Sequence, residues 1–317
     1  MTENAEFARF PLLLIPDNVL EQVLRSMEMR ALILVSFISR KIKPIVVALN
    51  LRPIPVDISI MGFGEIYIDG DVLLGRFNKV ENQTRSSDPY RETLLFVAHI
   101  YLLTKKTGVR RIQFSEFVDE PILNSAVHLF PNCENIYINR KISRPVLQKI
   151  LSLYGNVTKQ ISLHSILPAK IKNQIFMQNW DYLGAHTTSY KLDDLLMTNC
   201  AALGIVYTGP RTLNKLLKMW IRNKSNLRLE HFWAVRWGPV IDLAPVLNGI
   251  HYTEIPRETI RTFKLSKKVI AREYMWTMPD TVEVRGGFDF RNREGTLGTI
   301  TIRETGDKRI LHFFVWS

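Results

Sequence analysis

A spacing constrains this chain more than any motif does. Short apolar-x-apolar segments begin at Ile112, Ile136, Ile161, Leu183, Leu203 and Leu227, at steps of 24, 25, 22, 20 and 24 residues. Each reads as a short strand. Helical segments lie between them, and four open at Pro121, Pro145, Pro168 and Pro210. Proline suits the first helical position, where its missing N–H would have no partner anyway. The helix without one is 191–198, KLDDLLMT. One strand and one helix every ~20–29 residues is the geometry of a leucine-rich-repeat-like β/α solenoid, in which each unit buries its apolar edge against the next. The strict leucine consensus is absent, and a single α/β sandwich with similarly spaced elements has the same period. On the solenoid reading, Gln113, Ser115, Tyr137, Asn139, Ser162, His164, Gly204, Arg228 and Glu230 face outward from a parallel sheet. A mixed polar and aromatic row suits gripping a protein better than housing a small-molecule reaction. Gln113, Tyr137, Asn139, Ser162, His164, Arg228 and Glu230 are therefore the candidate target-binding residues.

The helix expected over 210–223 is the most patterned segment. Leu213, Leu216, Leu217, Trp220 and Ile221 form one face, and Arg211, Lys215, Lys218 and Arg222 form another at i, i+4, i+7 and i+11. No acid lies between Arg211 and Arg228. A solvated outer face explains the row; its functional reading is an anion patch for an acidic or phosphorylated partner. Residues 257–272 are basic apart from Glu258 and read as a loop or short helix. From Thr281 the pattern alternates through Phe290, turns at RNREG, resumes at LGTITI, turns at ETGDK and closes on ILHFFVW. That is a three-strand β-meander over 281–317, placed to cover the end of a solenoid. Asp289 and Glu294 flank a turn with no partner base in sight and are not assigned as a catalytic pair.

At the other end, Phe10–Ala48 is a run of apolar segments at helical spacing. Asp17 is a candidate N-cap, followed by Val19, Leu20, Val23, Leu24 and Met27. A second run covers 31–35 and a third 39–48, where Pro44 would kink or end a helix. Some forty residues cannot bury that much apolar surface alone. Either the rest of the chain or another protein must cover it. Residues 51–108 form a connecting β-hairpin and helix: extended segments from Val56 to Phe77 with a turn at Asp69-Gly70, a polar loop over 79–89, and a helix over 90–107 ended by Gly108.

The order Ile15-Pro16, Val19-Leu20, Val23-Leu24, Met27, Leu32-Ile33, Ser36-Phe37 and Ser39-Arg40-Lys41 resembles an F-box, the module that attaches substrate receptors to a Skp-family adaptor. Ile42 lies nearest to where many F-boxes carry tryptophan. The resemblance is closest to nematode F-box proteins with a type 2 F-box-associated domain. It continues through 191–237, at Leu213, Lys218, Trp220, Ile221 and the strand expected over 227–235, and again at Phe288-Asp289-Phe290-Arg291 and Arg293-Glu294-Gly295-Thr296. The implied organisation is an F-box over 8–50, the connector over 51–108 and an F-box-associated region over 109–317. The implied role is the substrate-recognition subunit of a Skp/cullin/F-box ubiquitin ligase, itself doing no covalent chemistry. The expected adaptor-docking residues are Pro16, Leu20, Val23, Leu24 and Ile33.

Composition narrows the alternatives. No apolar run reaches the ~20 residues of a membrane span. Glu3 and Glu6 precede any basic residue, unlike a signal peptide, and two cysteines in 317 residues suit a reducing compartment, hence cytoplasm or nucleus. The net charge of +12 would attract nucleic acid, anionic membrane or acidic proteins, but there is no recognisable nucleic-acid reader fold, so nucleic acid is not the expected partner. Nucleophile elbows, phosphate loops, dinucleotide fingerprints and zinc spacings are absent. No catalytic residue, metal or cofactor is assigned. The rival readings are an interaction module without a ligase role, its helices merely capping the repeats, and, behind it, a basic nucleic-acid binder.

Overall fold

The computed structural model describes residues 14–51, 56–60, 64–68, 71–77, 89–105, 108–115, 118–139, 142–187, 190–238, 240–266, 269, 272–273, 276–277 and 281–316. The turn at Asp69-Gly70 and the loop expected over 79–89 lie outside them, except for Pro89, which opens a helix. The chain divides into two compact units, the first comprising Met1–Asp57 and Phe63–Gly108, the second Ile58–Gly62 and Val109–Ser317.

The first unit holds α1 (Asp17–Ser26), α2 (Met29–Ile38) and α3 (Ile42–Ala48). The strand β1 (Val56–Ile60) begins in it and ends in the second unit. The antiparallel pair β2 (Gly64–Ile68) and β3 (Asp71–Phe77) and the helix α4 (Pro89–Thr104) complete it. Asp17 proves to be the first helical residue, with Pro16 at the cap position and no side-chain cap bond. Its charge meets the positive end of α1 instead. Pro44 does not break α3, because the helix begins at Ile42 and places Pro44 in its first turn, where backbone N–H groups have no helical acceptor. α4 stops at Thr104, before the expected Gly108, and Lys105 leaves it at φ 53°.

The second unit is α/β, built on one large mixed sheet. The strands β4 (Val109–Phe114), β5 (Cys133–Ile138), β6 (Gln160–Leu163), β7 (Tyr182–Ala185), β8 (Ala202–Val206) and β9 (His231–Trp237) are parallel neighbours in chain order. Between them run α5 (Glu120–Leu129), α6 (Arg144–Tyr154), α7 (Ala169–Phe176), α8 (Leu192–Leu196) and α9 (Pro210–Ile221). Pro121, Pro145 and Pro210 sit at the first or second helical position. Pro168 is instead the residue before α7. After α10 (Ala244–Leu247) come β10 (Thr253–Lys264), the short pair β11 (Arg272–Glu273) and β12 (Trp276–Thr277), then β13 (Thr281–Arg291), β14 (Leu297–Thr305) and β15 (Lys308–Trp316).

The meander does not sit across the end of the parallel ladder as a separate cap. It extends the same sheet edge to edge, β15 pairing antiparallel with β9 and β10 adding to β13. Two sequence expectations fail here. The last parallel strand starts at His231, not Leu227. Asn223 and Asn226 adopt φ 54° and 53°, and Leu229 N–H bonds back to Asn226 O at 3.0 Å, so 226–229 is a turn. Residues 253–264 form a strand rather than a loop or helix. The strand lies at the edge of the sheet and is largely solvated, so it needs no apolar alternation, and its cations discourage pairing with a foreign strand. Its bulge between Ile255 and Ile260 faces Gly286 and Gly287, at φ 57° and 117°. A Cβ at Gly286 would lie 2.9 Å from Ile255 O.

Register fixes what each face of the sheet carries. Ile112, Ile136, Ile161, Leu183, Leu203 and Phe232 align across six strands, all buried. They share a face with Phe313, on which Trp220 of α9 packs at 4.9 Å between ring centres. Right-handed crossovers put the helices of a parallel ladder on one side, so this is the helical face. The neighbouring row, Gln113, Tyr137, Ser162, Gly184, Gly204, Trp233 and His312, points the other way.

Candidate interaction surfaces

Three places could meet a partner: the N-terminal helices, the helix-free face of the sheet and the polar side of α9.

In the first unit, the residues expected to dock an adaptor do not all reach the surface. Pro16 is exposed and Val23 half-buried, whereas Leu20, Leu24 and Ile33 are 0% exposed. They are core, and the assignment of these three as docking residues is corrected accordingly. The regularity that singled them out is the regularity of a buried stripe. The open apolar residues fall beside that stripe: Leu14, Val19, Phe37 and Ile38, with Leu14 82% and Ile38 80% exposed. Phe37 also packs edge-on against Phe96 of α4 at 4.9 Å, next to Ser36, whose hydroxyl is hydrogen-bonded to His99 Nε2 at 2.8 Å. Burial, then Lys43, lowers the His99 pKa. Leu95 and Leu102, two turns apart on α4, are exposed as well.

On the helix-free face, β4, β5 and β6 bring Gln113, Tyr137 and Ser162 into one row, as their spacing predicts. The row is not an open shelf. Gln113, Tyr137 and Asn139 are half-buried, while Ser115, Ser162 and His164 are buried. The cause is stacking between neighbouring strands. Tyr137 lies on His164 at 4.6 Å, and His164 on His186 at 4.8 Å. Tyr182 hydroxyl is 3.3 Å from His186 Nε2, and its ring stacks on Trp233 at 5.4 Å. Trp233 in turn lies over Gly204, where a Cβ would come within 2.6 Å of the indole. The ribbon continues through His231 to His312, whose Nε2 and Nδ1 atoms are 3.1 Å apart, and to Phe314. Phe263, Leu265 and Val269 close over its far end. Burial drives the pKa values of His186, His231 and His312 down, that of His312 to about 3. These rings are neutral and structural at neutral pH. Asn135 and Ser162 are fully buried, and among the described residues neither amide atom of Asn135 nor the Ser162 hydroxyl has a hydrogen-bond partner.

Arg228 and Glu230, predicted for this face, lie elsewhere, in the turn before β9. Arg228 donates to Asn199 O at 3.2 Å and pairs with Asp181 at 3.6 Å, while Asn199 donates to Asn179 at 2.8 Å, so it ties together the loops leading into three strands. Glu230 accepts from the Ser266 backbone N–H at 2.7 Å and from its hydroxyl, holding down the covering segment. The buried ribbon of His186, Trp233, His231 and His312 was not foreseen. The alternation in HFWAVRW and ILHFFVW is its only trace in the sequence.

The α9 row survives intact. Arg211, Lys215 and Arg222 are exposed and Lys218 is half-buried beside Gly249. Opposite them Leu213, Leu216, Leu217 and Trp220 are buried. Asn214 donates to Val246 O at 2.8 Å and Asn248 O at 2.9 Å, and Arg293 N–H donates to Ile221 O at 2.9 Å, so both ends of the helix are braced.

Burial pushes the thiols of Cys133 and Cys200 up to about 12. Asp289 is gripped by Arg261 at 2.8 and 3.0 Å and accepts from Thr299 at 2.6 Å, and Trp316 Nε1 donates to the same hydroxyl at 2.7 Å. That knot binds β10, β13, β14 and β15. Among the described residues no group of three or more His, Cys, Asp or Glu could hold a metal, and no helix is long and apolar enough to cross a membrane.

Residues 171–234, from α7 to the middle of β9, match the family model described as F-box associated. The match contains α9 and the Gly204–Trp233 contact. No curated protein and no solved structure matches the chain.

Proposed function

We propose that this chain is the substrate-recognition subunit of a Skp/cullin/F-box ubiquitin ligase, like the nematode F-box proteins it resembles. Its N-terminal helices dock on a Skp-family adaptor, and through it a cullin, while the region from 109 onward holds a target protein. One observation carries the reading. The F-box associated match at 171–234 follows a three-helix segment that leaves Leu14, Phe37 and Ile38 open to solvent. Large apolar residues left exposed on a small helical segment are a signature of a protein contact, and each contributes ~1.5–3 kcal/mol when fully covered. The receptor's work is tethering. It raises the effective concentration of target near the ligase without making or breaking a bond, a role for which inert thiols and a salt-bridged Asp289 suffice. Such a receptor works in the cytoplasm or nucleus.

The test is co-expression with a Skp-family adaptor. The wild-type chain co-purifies with it. The double variant Leu14→Asp, Ile38→Asp changes only exposed positions, which typically shift stability by no more than ~0.5 kcal/mol. It keeps its melting temperature and loses the adaptor. Undiminished co-purification of the double variant, or none with the wild type, overturns the docking assignment.

A further inference from the structure

The first half of α9 is charged against the rules that stabilise an isolated helix, whereas Lys218 and Arg222 suit the dipole at its end. Its first turn holds no acid and instead carries Arg211, at the end where the helix dipole is positive. Arg211, Lys215, Lys218 and Arg222 then follow at spacings of four, three and four, each next to a like charge. Such neighbours repel, whereas opposite charges at the same spacing attract. α1 uses that attractive device, Arg25 reaching back to Glu21 at 2.7 Å. α9 does not: no acid occurs between Arg211 and Glu230, and none of the four cations makes an ion pair among the described residues. At ~100° and ~1.5 Å per residue, the row fills an arc of about 60° and runs about 16 Å.

We propose that this row is a docking rail for an acidic protein segment, one with carboxylates or phosphoryl groups repeating every three to four residues. The proposal rests on the reading of the C-terminal region as the part that holds the target, and it names the chemistry of that target. Three features fit such an occupant. The rail is straight and one charge wide, matching a single row of anions on a partner helix. It is braced at one end by Asn214 on α10 and at the other by Arg293, so little ordering is needed on binding. Its one tryptophan, Trp220, is buried against Phe290 and Phe313. The rail thus has no aromatic platform for stacking bases, which favours protein over nucleic acid.

The experiment uses the full chain, co-purified with its adaptor where the adaptor binds. Fluorescence anisotropy compares four probes: a helical peptide with Glu at i, i+4, i+7 and i+11, the same peptide with Gln, the same with phosphoserine, and a single-stranded RNA of similar length. The Glu peptide binds at least about tenfold more tightly than the Gln peptide at low salt, and affinity falls as salt rises. The variant Arg211→Glu, Lys215→Glu, Arg222→Glu abolishes that difference. The control Arg144→Glu, Lys170→Glu, Arg257→Glu removes equal charge at exposed positions elsewhere and stays within about twofold of the wild type. Preference between Glu and phosphoserine identifies the source of the anion. Equal binding of Glu and Gln peptides, equal losses in both triple variants, or RNA bound more tightly than either acidic peptide and lost in the rail variant, overturns the proposal. The rail variant retains the adaptor and melts close to the wild type, because all three positions are exposed and the reversal turns the repulsions of Lys215 and Arg222 with Lys218 into attractions. Failure at the rail is thereby separated from failure of adaptor docking, which Leu14→Asp, Ile38→Asp reports.

Discussion

The two faces of one sheet are both largely covered and quite differently written. On the helical face the register runs Ile136, Ile161, Leu183, Leu203 and Phe232. On the other it runs Tyr137, Ser162, Gly184, Gly204 and Trp233. The first face is held by aliphatic burial under helices. The second is held by stacked rings, histidine contacts and the room that a glycine leaves for an indole. A face made of groups that can hydrogen-bond looks solvent-exposed from sequence alone, yet Ser162, His164 and His186 are buried. Burial and hydrophobicity are separate properties, and only the second is visible in a residue's name.

Three perturbations sharpen that contrast. The largest effect belongs to the helical face. Phe232→Ala leaves a cavity beneath well-packed neighbours and costs about 3–5 kcal/mol in chemical denaturation; a loss below about 1 kcal/mol would mean that this row is not the principal core. On the opposite face the sensitive direction is reversed, since adding atoms does the damage. Gly204→Ala puts a Cβ within 2.6 Å of the Trp233 ring and costs about 1–3 kcal/mol. A shift in tryptophan fluorescence reports the displaced indole, and a neutral result would show that the ring does not lie there.

The third and smallest effect per step is titration. His312 binds its proton far more weakly when folded, with a pKa near 3 against about 6.5 unfolded. Its neutral form is favoured in the fold, so its contribution is intact above pH ~6.5 and declines as pH falls toward about 3, by about 1.4 kcal/mol per unit. Protonating both rings of the His231–His312 pair would also set two N–H groups against each other. His312→Phe loses some stability at pH 7 but shows a shallower decline between about pH 6 and 4. A variant with the wild-type slope would place the acid sensitivity elsewhere.

The period of the central strands and helices was plain in the sequence, because strand anchors and helix-opening prolines repeat together. What escaped has identifiable physical reasons. β10 carries Arg257, Arg261 and Lys264 because an edge strand needs no apolar alternation. The start of β9 was displaced because the left-handed turn at Asn223 and Asn226 gave Leu227 and Leu229 the look of a strand. In the candidate site, Leu20, Leu24 and Ile33 were chosen for a periodicity that marks burial, so the exposed Leu14 and Ile38 stood just outside the pattern. The α9 row was legible throughout, since charge on a helix face needs no tertiary context to be seen.

The account depends on the N-terminal helices giving their open apolar residues to an adaptor. Hydrogen–deuterium exchange of the full chain, with and without a Skp-family adaptor, measures this directly. Slowed exchange across 14–20 and 35–39 when the adaptor is added is the predicted result. Exchange there that does not change, while the adaptor protects the strands or α9 instead, would contradict it.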